Sequence, residues 1–114
     1  MSNDRRIDYI EFPATEIAPI KQFYSTVFDW KFDDFGPKYT SFHDGRLAGG
    51  FWENGMESVG GGALVVLYAS DLEATEKRVR DAGGTIAKEI FSFPGGRRFH
   101  FKDPSGNELA VWSE

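Results

Sequence analysis

The sequence predicts an α+β domain of two βαβββ modules, which pair into an open, curved, mostly antiparallel, barrel-like sheet with the helices outside. Three observations predict it. The order strand–helix–strand–strand–strand can be read twice along the 114 residues. The two readings also end alike. Phe42-His-Asp-Gly-Arg-Leu-Ala-Gly-Gly-Phe-Trp-Glu53 parallels Phe101-Lys-Asp-Pro-Ser-Gly-Asn-Glu-Leu-Ala-Val-Trp-Ser-Glu114, which sets Trp52 against Trp112 and Asp44-Gly45 against Asp103 and Gly106. Finally, a chain of this length supports one core of modest size and not two. Neither half can bury its sheet alone, so the halves share a core within a single domain, 1–114.

In module one, about 6–53, Arg6–Pro13 reads as a strand that Pro13 ends. Ile17, Ile20, Phe23, Tyr24, Val27 and Phe28 then recur at helical spacing. Pro19 suits the first turn of that helix, where its missing N–H costs little. Strands follow at Trp30–Phe35, Lys38–His43 and Leu47–Glu53, with turns at Gly36-Pro37 and Asp44-Gly45. Residues 54–62 are polar and glycine-rich and read as a linker. A phosphate cradle at Gly60-Gly61-Gly62 would need a helix after it, and the strand-like Ala63–Tyr68 follows instead. Module two, about 63–113, opens with that strand. Ser70-Asp-Leu-Glu73 has the form of a capping box. Leu72, Thr75, Val79 and Ala82 make the buried face of a helix that Gly83-Gly84 ends. The last strands are Thr85–Phe91, Arg97–Lys102 and Asn107–Ser113.

Composition removes several classes of function. The net charge is −5, and the basic clusters Arg5-Arg6 and Arg97-Arg98 are too short to reverse that balance. That argues against nucleic acid and anionic membranes as partners, since both select basic patches. With no cysteine there are no disulfides, thiolate metal sites or cysteine nucleophiles. No stretch of about 18 apolar residues is present to span a bilayer. Met1-Ser2-Asn3-Asp4 begins no apolar leader, so a cytoplasmic location is expected. Eleven Phe, four Tyr and three Trp are many for this length. A compact core, an aromatic-lined pocket and a buried homodimer interface each account for them.

Phe23-Tyr24 followed by Phe28-Asp-Trp30-Lys-Phe32, together with the late turn Asp103-Pro104-Ser105-Gly106-Asn107, resembles the vicinal-oxygen-chelate superfamily of glyoxalases, bleomycin-resistance proteins and dioxygenases. The resemblance covers roughly residues 6–113. It implies βαβββ repeats, often completed in a homodimer. In metal-dependent members it implies four inward side chains around a divalent metal. Carried onto this sequence, those positions fall on Tyr9, Gly50, Leu64 and Ala110, which read as vacant: three offer no donor, and a neutral Tyr is a rare ligand. No cofactor is therefore expected, with a divalent metal at a non-standard site as the alternative.

The period of two along strands extends the cleft. If Tyr9, Leu64 and Ala110 face inward, so do Glu11, Val66, Glu108 and Trp112, with Trp52 beside them. This is an aromatic-walled cleft carrying two carboxylates. Glu11 and Glu108 are the candidate acid/base groups, since a carboxyl group in a partly dry cleft can act as a general base. Solvated strand ends would explain them equally well. His43, His100 and Arg97 are candidates for the cleft rim, and the histidines for a displaced metal site. No ligand spacing links them. The expected function is small-molecule binding without the family metal. The alternatives are a glyoxalase-related lyase, isomerase or dioxygenase with displaced ligands, a metal-independent acid/base catalyst, and an interaction subunit whose own aromatics fill the cleft.

Overall fold

A computed structural model describes residues 4–60 and 62–114. Met1-Ser2-Asn3 and Gly61 lie outside the described residues. The element order is β1 (Tyr9–Ala14), α1 (Ile17–Phe28), β2 (Lys31–Asp34), β3 (Tyr39–His43), β4 (Ala48–Glu53), β5 (Val65–Tyr68), α2 (Leu72–Asp81), β6 (Thr85–Phe93), β7 (Gly96–Lys102) and β8 (Glu108–Ser113). The repeated βαβββ order is thus present, and each unit makes its own open four-stranded sheet. The strand orders are β1-β4-β3-β2 and β5-β8-β7-β6. In each sheet the first and last strands of the unit pair parallel and the other pairs are antiparallel.

Helix α1 buries Ile20, Phe23, Tyr24 and Val27, the i, i+3, i+4, i+7 stripe of an amphipathic helix. Pro19 sits in its first turn. No side chain of the Glu16 cap satisfies the start of the helix. Glu53 does so from β4, its Oε1 accepting from Ile17 N at 3.1 Å. The helix ends at Asp29, which adopts the left-handed conformation at φ 59°. Tyr24 then stacks on Trp30 at 4.5 Å, and Trp30 on Phe42 at 4.3 Å. Phe23 and Phe28 reach across to Phe101 of the second sheet. The aromatic richness is therefore largely core, continued by Phe51, Phe99, Leu109 and Val111.

Two local expectations are corrected. Pro13 does not end β1, which runs on to Ala14 and pairs Pro13 with Trp52. β1 is an edge strand, where a residue without an N–H is tolerated. The cap of α2 is Asp71 rather than Ser70, and its Oδ1 accepts from Ala74 N at 3.0 Å. Glu73 therefore does not close a capping box and is free to pair elsewhere.

The late turn ties the modules together. Asp103, Ser105 and Asn107 are all buried. Asp103 accepts from the backbone N–H groups of Ser105 and Asn107 and from the Tyr24 hydroxyl at 2.9 Å. Asn107 donates to the Pro13 carbonyl at 2.8 Å, and Ser105 Oγ accepts from Thr15 N at 2.9 Å. The linker is pinned on both sides, Asn54 N bonding to Ala14 O and Ser58 N to Ser105 O. Burial raises the Asp103 pKa above the ordinary carboxylate value, although the bonds from Asn107 and Tyr24 oppose it. Burial, with Asp103 beside it, raises that of Tyr24.

Candidate functional site

The strand registers show which residues the repeat makes equivalent. Glu11 lies opposite Gly50, and Val66 opposite Ala110. On the next strands Ser41 lies opposite Gly50 and Tyr39 opposite Trp52, while His100 lies opposite Ala110 and Arg98 opposite Trp112. Gly50 thus matches Ala110, Trp52 matches Trp112, Tyr39 matches Arg98, and Ser41 matches His100. Side chains alternate along a strand. All these residues therefore share the sheet faces turned away from the core residues Phe12, Phe51, Phe99 and Val111.

On the first sheet Tyr9, Glu11 and Gly50 come together, with Tyr39 as a fourth member that the sequence reading did not single out. The Tyr39 hydroxyl donates to Glu11 Oε1 at 3.1 Å and lies 2.5 Å from the Tyr9 hydroxyl. Having given its one proton to Glu11, Tyr39 accepts from Tyr9. The chain of bonds passes directly over Gly50: a Cβ built there would stand 2.1 Å from the Tyr39 oxygen and 2.6 Å from that of Tyr9. Desolvation, then the bonds to Tyr9 and Glu11, raises the Tyr39 pKa well above that of a free phenol. Trp52, half exposed, extends the same face. His43 stands apart at the strand end, 3.5 Å from Asp33.

On the second sheet His100 and Glu108 form a pair, Nδ1 to Oε2 at 2.9 Å. His100 is 4% exposed, and its Nε2 is buried without a partner. The pair lines a cavity of about 370 Å³ together with Leu64, Asn107, Phe12 and Pro13. A second cavity of about 510 Å³ lies at the seam of the modules. Phe12, Phe28, Trp30 and Phe42 line it from module one, and Val66, Tyr68 and Trp112 from module two. Ala110 is buried beneath the outer face. Neither cavity is lined by Tyr9, Glu11, Gly50 or Trp52.

Arg97 points elsewhere. Its guanidinium makes a two-pronged bond to Glu73 of α2, at 2.6 and 3.1 Å. This bond lowers the Glu73 pKa and raises that of Arg97. The arginine on the outer face is Arg98, held over the rings of Phe91 and Phe93. Counting outward from the turns would have found both missed residues. Pairing across Asp44–Leu47 sets Tyr39 on Trp52, and pairing across the late turn sets Arg98 on Trp112.

The metal implied by the resemblance can be tested against these side chains. Of Tyr9, Gly50, Leu64 and Ala110, only Tyr9 carries a donor atom, and that oxygen is engaged by Tyr39. Among the described residues no group of three or more His, Cys, Asp or Glu is placed to hold a metal ion. A divalent cation takes several nitrogen, oxygen or sulfur ligands, so this donor set does not fit one.

Comparison with known proteins agrees with the architecture. No curated protein matches the sequence. Solved structures superpose closely at low identity. A glyoxalase/bleomycin resistance protein/dioxygenase family enzyme from Burkholderia phytofirmans PsJN gives a TM-score of 0.82 at 17% identity, over 94% of this chain and 98% of that one. The hypothetical protein SA1046 from S. aureus gives 0.81 at 16%, over 96% and 94%. The fosfomycin resistance protein FosX from Mesorhizobium loti gives 0.80 at 13%, over 96% and 92%. At these identities the likeness speaks for the fold. The family model of the Glyoxalase/Bleomycin resistance protein/Dioxygenase superfamily matches residues 6–111, nearly the whole chain, and the chain belongs to that superfamily.

Proposed function

We propose that this protein binds a small molecule without a metal, holding it against aromatic side chains in a cleft that a second copy of the chain completes. One observation carries the reading: the Tyr9–Tyr39–Glu11 chain occupies the space above Gly50 where a fourth ligand side chain would have to stand. The aromatic surface supports it. Tyr9, Trp52, Leu64, Val66 and Tyr68 are exposed on the outer sheet faces of a single chain. Contiguous apolar surface of this kind marks binding or association. Superfamily members bind small molecules on this fold, and one structural neighbour is a fosfomycin resistance protein.

The test is metal analysis of the purified protein, combined with titration of a neutral aromatic probe, 2-naphthol, followed by tryptophan fluorescence. The expected result is no stoichiometric metal, and a Trp112→Ala variant that binds the probe about five-fold more weakly, the scale of one lost aromatic contact. A divalent metal at one equivalent per chain would sink the proposal.

The His100–Glu108 pair favours a second reading, a metal-independent acid/base catalyst. Glu108 lines a cavity beside a buried imidazole that orients it, the arrangement a general base requires. Glu11 is less suited, its carboxylate being engaged by Tyr39. Turnover of a dicarbonyl, thioester or catechol substrate that Glu108→Gln abolishes would establish this reading. Unchanged turnover in that variant would end it.

A further inference from the structure

The outer face of the second sheet carries a cation, Arg98, that no described residue neutralises. The Arg98 guanidinium carbon lies 5.5 Å from the centre of the Phe91 ring and 5.8 Å from that of Phe93. Trp112 stands directly across the ladder, 6.4 Å from Phe93. No acceptor among the described residues pairs with Arg98, and its Nε is buried without a partner. Buried donors are seldom left in this state. The neighbouring Arg97 is fully engaged with Glu73 on the opposite side of the strand.

The repeat explains why Arg98 stands alone. Its equivalent in module one, Tyr39, finds Glu11 and Tyr9 waiting. The counterparts of those two residues in module two are Val66 and Leu64, which have no acceptor to offer. The first sheet therefore gives Tyr39 partners at this position, and the second gives Arg98 none. Both carboxylates near this face are already engaged: Glu114 accepts from the hydroxyl of Tyr68, which packs on Trp112, and Glu108 is taken by His100 and sits opposite Lys102, at the far end of the ladder from Arg98. His100 adds a second buried, unpartnered nitrogen, Nε2, two residues along the same face.

We propose that this face binds the carboxylate of an aromatic acid. Arg98 takes the carboxylate in a two-pronged bond, and the rings of Phe93 and Trp112 flank the acid's own ring. A guanidinium fork matches a planar carboxylate. A single negative charge suits the setting better than a phosphate dianion, with Glu108 on the same face and a net charge of −5. The assignment rests on the aromatic-cleft reading above and adds the chemical class of the ligand.

The full-length protein is titrated by calorimetry with 2-naphthoate, with its uncharged amide 2-naphthamide and with 2-naphthyl phosphate. Naphthoate should bind about ten-fold more tightly than the amide, the scale of a charge-assisted bond, and more tightly than the phosphate ester. Arg98→Gln should bring the acid-to-amide ratio close to one. Arg98→Lys should keep only part of it, and Arg97→Gln all of it. Equal binding of acid and amide to the unaltered protein overturns the carboxylate assignment and leaves the aromatic cleft standing. So does a preference that survives Arg98→Gln, or tighter binding of the phosphate ester. If no naphthalene probe binds, both readings fall together.

Discussion

Gly49 and Gly50 are adjacent in sequence and differ in what confines them. A Cβ on Gly49 would stand 2.2 Å from the Ile10 carbonyl oxygen, part of the backbone of the paired strand β1. At Gly50 the nearest atoms are the phenol ends of Tyr39 and Tyr9, side chains that can turn outward. Gly49→Ala should therefore cost on the order of 3 kcal/mol and Gly50→Ala about 1 kcal/mol, within the range of overpacking. Urea unfolding of the two variants checks this, and equal costs would contradict it. Asp103 gives a prediction in pH. Its folded pKa is raised, chiefly by burial. Between the ordinary value of 3.8 and the folded one, the native state binds more protons than the unfolded chain. The carboxyl group's contribution is thus full below the unfolded pKa and is lost as pH rises through the folded one. Relative to Asp103→Asn, which does not titrate, the natural protein should gain stability as pH falls from neutrality toward 3.8. Paired urea midpoints at several pH values measure that difference. Asp34 and Glu73, whose pKa values are lowered by Lys21 and Arg97, act in the opposite sense but are common to both proteins and cancel.

At the scale of elements, periodicity carried well and end effects less so. The apolar spacing of Ile17 to Phe28 corresponds to the observed helix residue for residue. The cap of α2 moved by one residue, because Ser70 and Asp71 are both good caps and only the approach of the chain from β5 decides between them. Asp71→Ala should cost about 1 kcal/mol and Ser70→Ala a few tenths at most, read as shifts in melting temperature. A larger loss at Ser70 would return the cap to the sequence-based position. Pro13 teaches a related lesson: a proline stops a strand only when its N–H is needed, and strand order, which sequence spacing does not encode, puts β1 at an edge.

The whole molecule is open. Its extents are 40 × 39 × 25 Å, with a radius of gyration of 14.2 Å, against about 13 Å for a compact domain of this length. Among the described residues no helix is long and apolar enough to cross a membrane. The exposed apolar side chains of the outer faces lead to a prediction for the proposed dimer. Light scattering should find two chains per particle, and Val66→Glu, placing a charge on that face, should give a folded monomer. A natural protein that remains monomeric at high micromolar concentration would argue against the dimer. The repeat, the helix and strand order, and the lack of donor side chains at Gly50, Leu64 and Ala110 were legible in the sequence, because they depend only on residue type and spacing. The Tyr9–Tyr39–Glu11 chain, the His100–Glu108 pair and the unanswered charge of Arg98 were decided by the tertiary structure. Each depends on which strands lie side by side and in what register, and that is settled by the burial of a core drawn from both modules at once.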